Sequence, residues 1–281
     1  MVNVIGLGNA GCKIAELLDE HEPYEVYKID TDLPKEKGCL SIAKRSNAED
    51  YEKKLSTKVT SALKKIKGTV LLIVGGGGKI SSATLRILEC VQDNPIEVIY
   101  IKPDPSTVSA TAQTLDKITF NILQEYARSG VFERMYVASN TQIESAVGNI
   151  PLSQYYPKIN SIIASTFHMV NVYKNTAANF SSFLDSDGIS RISTIGVGTL
   201  DKVVDQMFFP LDYVSEKNYY FAIKQKQLDE DSELLTNIKR RVRQEDSTIK
   251  TGFGVYATPY DHNYIYIVAN TKIIQGVNYD E

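Results

Sequence analysis

The chain has 281 residues, enough to bury a sizeable core in one large or two modest domains. Its 31 basic and 34 acidic residues leave a net charge of −3 with no long run of one sign, so neither a nucleic-acid surface nor a membrane surface is advertised. Cys12, Cys39 and Cys90 are too few for a disulfide framework, and His21, His168 and His262 lack metal-ligand spacing, so a reducing compartment and no metal centre are expected.

The N-terminus runs directly into a strand pattern at 2–7, without a signal peptide, and no apolar run approaches a membrane span; the expected location is the cytoplasm. Glycines spaced G-x-G-x-x-G follow at Gly6, Gly8 and Gly11, and Ile14, Leu17 and Leu18 then take up a helical period over 10–20. This is the layout of a phosphate-binding turn, in which the N–H groups of Gly8, Asn9, Ala10 and Gly11 meet an anion at a helix start. Tight packing of strand on helix is the structural alternative for the same glycines. A strand at 25–29 ends at Asp30, about twenty residues past the glycines, where a ribose-binding acid of a dinucleotide enzyme belongs.

A helix is expected over 48–67, and the buried strand 69–74 runs into four consecutive glycines at 75–78 before a helix at 80–92. Such a run gives amides unusual freedom and suits a second phosphate nest; a tight crossing of strand and helix is again the alternative. After a strand at 97–102, the helix 110–128 carries Leu115, Ile118, Ile122 and Tyr126 on one stripe and stops at Gly130. A strand at 135–138 completes an alternating pattern that predicts a parallel, doubly wound sheet.

A long helix over 157–176 follows, with Pro157 in its first turn and Ile159, Ile162, Ile163 and Val170 on one side. His168 within it reads as a packed side chain. Beyond the polar loop 179–188 come strands at 192–197 and 218–224, a helix at 230–243, and strands at 249–258 and 264–270. The last is apolar on both faces and so expected to be covered on each side. The basic group Lys239, Arg240, Arg241 and Arg243 reads as a solvated helix end. A second α/β unit therefore begins near residue 189.

The order of these features resembles the tubulin/FtsZ superfamily of GTP-dependent cytoskeletal proteins. Gly8-Asn9-Ala10-Gly11-Cys12-Lys13-Ile14 is similar to the family's first phosphate loop, and Ile29-Asp30-Thr31-Asp32 to its second, with Asp30 in place of Asn. The glycines at 75–78 fall at the family's glycine-rich signature, so Gly76, Gly77 and Gly78 would cradle phosphate. Asn140 matches an Asn near the nucleotide's sugar and base. Tyr156 and Asn160 resemble the aromatic residue that stacks on guanine and the Asn one turn on that bonds the base edge; i and i+4 share a helix face, and an amide offers donor and acceptor. The loop carrying Asp185 and Asp187 resembles the one whose carboxylates act in a neighbouring subunit's pocket and polarise the attacking water.

The resemblance implies a nucleotide-binding domain over 1–156, a central helix over 157–178 and an activation-type domain over 179–281. It implies GTP or GDP with Mg²⁺ carried by the nucleotide, and head-to-tail assembly of the chain with itself, with no direct nucleic-acid or membrane partner. The family signature G-G-G-T-G-T-G gives way here to Lys79-Ile80-Ser81-Ser82-Ala83. Lys79 could neutralise phosphate with Ser81 or Ser82 helping to hold Mg²⁺, in partial imitation of a P-loop; a solvated lysine is the alternative. Asp185 and Asp187 are two apart, not three, and 102–110 lacks the family's ribose-contacting Glu and Arg. The chain ends soon after its last strand pattern, which favours a segregation or positioning filament over a division protein. A degenerate structural relative without GTPase activity, and an NAD-dependent enzyme built on Gly6–Gly11 and Asp30, are the competing readings.

Overall fold

The computed structural model describes residues 1–53, 55–183, 188–200, 204–243, 245 and 247–276. In chain order the first half is β1 (Val2–Leu7), α1 (Gly8–Leu18), β2 (Tyr24–Asp30), β3 (Cys39–Ser41), α2 (Ala48–Lys53), α3 (Thr57–Leu63) and β4 (Val70–Gly75). A 3₁₀ turn (Lys79–Ala83) leads into α4 (Thr84–Val91), followed by β5 (Ile96–Lys102), α5 (Ala110–Arg128), β6 (Arg134–Ser139) and α6 (Asn140–Val147). Then come α7 (Tyr155–Lys174), β7 (Phe180–Ser181), β8 (Ile192–Gly198), β9 (Gln206–Met207), β10 (Glu216–Lys224), α8 (Gln225–Glu230), α9 (Leu234–Arg243), β11 (Lys250–Thr258) and β12 (Tyr264–Thr271).

The strands form one sheet in the order β3-β2-β1-β4-β5-β6-β8-β12-β10-β11-β7, with β9 paired to β8. The pairings β3 to β6 are all parallel. β4 explains itself from sequence: Val70, Leu71, Leu72, Ile73 and Val74 are fully buried, as a central parallel strand covered on both faces must be. The two halves of the sheet meet where β6 pairs with β8 through Met135–Ile192 and Tyr136–Ser193. Beyond that point β12 runs antiparallel to both β8 and β10.

Three apolar clusters fill the layers. One lies under α2 to α5, with Tyr51, Val59, Ile87, Phe120 and Leu123 against β1, β4 and β5. A second joins α1 and α7 to both halves of the sheet, since Ile159, Ile163, Phe167 and Val170 share it with Ile73, Ile99, Tyr220, Tyr256 and Val268. The third packs Leu234, Ile238 and Val242 of α9 on Tyr219, Phe221, Phe253, Ile265 and Ile267. β12 is thus covered on both sides, as its sequence predicts.

Three expectations need correction. The helix expected over 48–67 is two, α2 and α3, because Ser56 is extended (φ −69°, ψ 148°) and its hydroxyl accepts the N–H of Val59 to start α3 afresh. The stripe on α5 is not the helix's inner face, although Tyr126 packs against the core and Leu115 is partly buried. Its inner face is Asp116, Phe120, Leu123, Gln124 and Ala127, whereas Ile118 and Ile122 are exposed. Within the basic group, Lys239, Arg240 and Arg243 are exposed but Arg241 is buried: it pairs with Asp205 and lies 5.6 Å from the centre of the Tyr219 ring. Lys217 bridges Asp205 (3.1 Å) and Glu245 (2.9 Å) in the same network.

Candidate functional site

In an open parallel sheet, ligands sit beyond the C-terminal ends of the strands, where the strand order reverses. Here the order reverses between β1 and β4, and both glycine clusters follow those two strands. α1 begins at Gly8 itself, whose φ of +71° turns the chain straight from strand to helix. No side chain caps α1, so its first N–H groups and the positive end of its dipole face the crevice. Asn9 is exposed at this corner, and Ala10 is partly buried.

Gly11 is buried, and a Cβ there would fall 2.3 Å from the carbonyl oxygen of Ile73; its absence lets α1 lie against β4. Cys12 points inward as well: its thiol donates to the carbonyls of Gly6 (3.3 Å) and Ile29 (3.6 Å), and burial pushes it up to about 12. Asp30, at the end of β2, accepts the N–H of Thr31 at 2.7 Å.

The second glycine loop adjoins the first, since a Cβ on Gly75 would meet that of Ala10 at 3.3 Å and one on Gly8 would meet Ile80 Cγ2 at 2.8 Å. Gly77 has φ +80° and rests on Ala112 of α5. Under Gly76 lies a side chain that sequence reasoning missed. The buried carboxylate of Asp116 accepts bonds from Tyr100 (Oη, 2.7 Å) and Lys102 (Nζ, 2.8 Å), and a Cβ on Gly76 would fall 1.9 Å from its Oδ1. Nothing local in the sequence marks Asp116; it sits at an inward position of α5 that only the true rotation of the helix reveals.

Two polar side chains after Gly78 are engaged within the fold. Lys79 donates to the carbonyl of Ser46 at 2.8 Å, and the buried Ser81 hydroxyl to that of Gly75 at 2.5 Å. Of the three side chains nominated for phosphate and Mg²⁺, Lys79 and Ser81 thus have protein partners, while Ser82 is partly buried. Among the described residues no group of three or more His, Cys, Asp or Glu could hold a metal.

At the other end of the crevice Asn140 opens α6 directly after β6. It is buried, and its Oδ1 has no hydrogen-bond partner, an arrangement proteins seldom tolerate unless something else supplies the donor. Asn160, also buried, lies in the second turn of α7, and Tyr156 one turn earlier is 56% exposed. α7 packs beside α1, and Ala10, Tyr155, Ile159 and Ile162 belong to the apolar cluster that the two helices share. Tyr155 donates to Glu144 at 3.0 Å and sets its ring edge-on to Tyr156, 5.1 Å away. His168 is not at this site; it stacks on His21 at 3.7 Å and meets the Tyr24 hydroxyl at 3.2 Å. Asp185 and Asp187 lie outside the described residues.

The fold defines an open α/β protein whose candidate site lies at the switch point of its sheet. No family model and no curated protein matches the sequence. Solved structures do match. A GTPγS-form protofilament of TubZ from Bacillus thuringiensis serovar israelensis superposes with TM-score 0.70 at 14% identity, covering 96% of this chain and 86% of that one. An FtsZ dimer from M. jannaschii gives 0.70 at 14%, covering 96% and 87%. CetZ2 from Haloferax volcanii, as a protofilament, gives 0.71 at 15%, covering 95% and 92%. The chain therefore has the tubulin/FtsZ fold. Among the described residues no helix is long and apolar enough to cross a membrane.

Proposed function

We propose that the protein binds GTP in this crevice and assembles head to tail into filaments, with hydrolysis at the contact between subunits and a role in positioning or segregating DNA or phage particles. What supports the reading is a pair of unlike polar ends along the same C-terminal edge of the parallel strands. One end offers uncapped helix N–H groups beside two glycine loops, and the other the unpartnered, buried Asn140 Oδ1 beside the start of α7. The first suits phosphates and the second a base with an exocyclic donor. Two neighbours add support: TubZ forms a two-stranded filament, and another TubZ is described as a type III plasmid segregation protein. Ser81 and Lys79 are spent within the fold, and Ile80 covers Gly8. These contacts favour, as a second reading, a filament subunit that binds nucleotide without turning it over.

Light scattering and negative-stain microscopy with GTP, GDP or a slowly hydrolysed analogue, with phosphate release recorded on the same samples, separate the readings. GTP-dependent filaments that shrink as phosphate appears are expected. Filaments without phosphate release would select the second reading, and failure to bind guanine nucleotide would reject both. Asn140→Ala is expected to weaken guanine nucleotide binding about tenfold while leaving the melting temperature unchanged, because the oxygen it removes has no protein partner.

A further inference from the structure

A negative charge lies directly beneath the second glycine loop. Asp116 is only 9% exposed, and a Cβ on Gly76 would fall 1.9 Å from its Oδ1, so the carboxylate touches the backbone of Gly76. The same Cβ would meet the Tyr100 hydroxyl at 2.6 Å. Gly77 rests on Ala112, one turn before Asp116 on the same face of α5. Left unpaired, the carboxylate would repel any anion brought to this loop, and burial would keep water and salt from screening it.

The charge that offsets it comes from the neighbouring strand. Gly75 pairs with Ile101 of β5, and the N–H of Gly76 donates to the Ile101 carbonyl at 2.8 Å, so the next residue, Lys102, stands beside the loop. Its ammonium donates to Oδ2 of Asp116 at 2.8 Å and lies 4.0 Å from the centre of the Phe120 ring. Tyr100 donates to Oδ1 at 2.7 Å. Burial, reinforced by the carboxylate, holds the Tyr100 phenol far above its ordinary range, so it contributes a proton donor but no charge. Lys79 donates instead to the carbonyl of Ser46. The Lys102–Asp116 pair is thus neutral only while both members are present.

We propose that Lys102 is a positioning residue that acts through Asp116: by neutralising this carboxylate it keeps the second glycine loop receptive to a chain of phosphates, and the net charge of the pair sets how strongly affinity depends on phosphate number. The proposal rests on the nucleotide reading above and extends it to two side chains that do not themselves touch phosphate.

The test is calorimetric titration of GTP, GDP, GMP and inorganic tripolyphosphate into wild type, Asp116→Asn, Lys102→Met and the double variant, at about pH 8, well above the ordinary carboxylate range. The pair is neutral in wild type, positive in Asp116→Asn, negative in Lys102→Met and neutral again in the double variant. GTP affinity should follow that charge: tighter than wild type by about threefold in Asp116→Asn, weaker by about tenfold or more in Lys102→Met, and within about threefold of wild type in the double variant. The loss in Lys102→Met should be smallest for GMP and largest for GTP and tripolyphosphate. A double variant as weak as Lys102→Met would mean that the lysine meets phosphate itself, which overturns the proposal. Equal losses for GMP and GTP, or a loss in Asp116→Asn like that in Lys102→Met, would mean that the pair only shapes the loop, which also overturns it. A thermal melt of each variant reports folding. Were Lys102→Met not to fold, Asp116→Asn and the double variant still differ by one charge, and GTP must bind the former more tightly. If wild type binds tripolyphosphate but no guanine nucleotide, the functional reading fails and the tripolyphosphate series alone decides the proposal. If it binds neither, both fall.

Discussion

Cys12 sits one residue past the glycine motif, and its chemistry follows from where the helix puts it. At the third position beyond Asn9 its side chain turns beneath β1 and β2, where the thiol can only donate to the carbonyls of Gly6 and Ile29. Burial, helped by the nearby charge of Asp30, lifts it from 9.0 to about 12. The sign of the effect on stability is fixed by this. Below pH 9 the thiol is protonated in both states. Above it the unfolded chain ionises while the folded one holds its proton, so stability falls as pH climbs from about 9 to about 12. Urea denaturation at about pH 8 and about pH 10.5 should show this loss, and Cys12→Ser should lose less over the same interval. An identical loss in the variant would assign the whole effect to other groups, of which Tyr24, also raised to about 12, is one. The motif itself was readable in the sequence, down to the glycine that turns strand into helix. Whether Gly11 serves phosphate or helix packing stayed open at that level, because the Ile73 carbonyl it meets lies far along the chain.

Among the elements, α5 shows what periodicity can and cannot tell. Its bounds, 110–128, follow directly from the sequence: Ser109 accepts the N–H of Ala112 at the start, and Gly130 has φ +85° just past the end. Its rotation does not. Ile118 and Ile122 of the apolar stripe point to solvent and only Tyr126 packs on the core, because Asp116 and Gln124 are drawn inward by partners that no local pattern encodes. Asp116 is held by Tyr100 and Lys102. Gln124 exchanges two bonds with the backbone of Gln275, giving its amide to the carbonyl (3.0 Å) and accepting the N–H (2.7 Å). This makes the two faces separable by mutation. Ile118→Ser should change stability by no more than about 0.5 kcal/mol, as at an ordinary surface site, whereas Leu123→Ala should cost about 2–5 kcal/mol. Equal costs in a urea titration would return the stripe to the core. The same rotation brings Asp116 under Gly76, so α5 is the backing of the second glycine loop.

At the scale of the whole molecule, the order of the longer strands and helices was largely legible, while the helices α6 and α8 and the strands β3, β7 and β9 were not. Each of these three strands is only two or three residues long, too short for a period to register, and is defined by its neighbour in the sheet. What the sequence also hid is where apolar surface is left over. Leu152 is 92% exposed and Tyr156 56%, at the N-terminal end of α7. Phe180 and Phe183, 41% and 38% exposed, follow its C-terminal end. α7 has 20 residues and so is about 30 Å long, which puts these two apolar patches at opposite ends of the element that joins the halves of the molecule. Large apolar side chains left in water at two unlike, opposed sites are what a heterologous contact needs, and a heterologous contact that does not close on itself propagates. Leu152→Asp would place a charge in such a contact while touching no buried residue. It should raise the concentration at which filaments form by about tenfold or more while leaving nucleotide binding intact. The decisive arm is a mixture. A subunit with one dead and one live face still adds to a wild-type filament through the live face and then blocks that end, so a small fraction of Leu152→Asp should shorten wild-type filaments and slow their growth. A self-paired contact through the Leu152 patch would behave differently, because the variant could not enter it at all and would act only as inert protein. Wild-type growth unaffected by the variant would therefore place Leu152 outside a propagating interface.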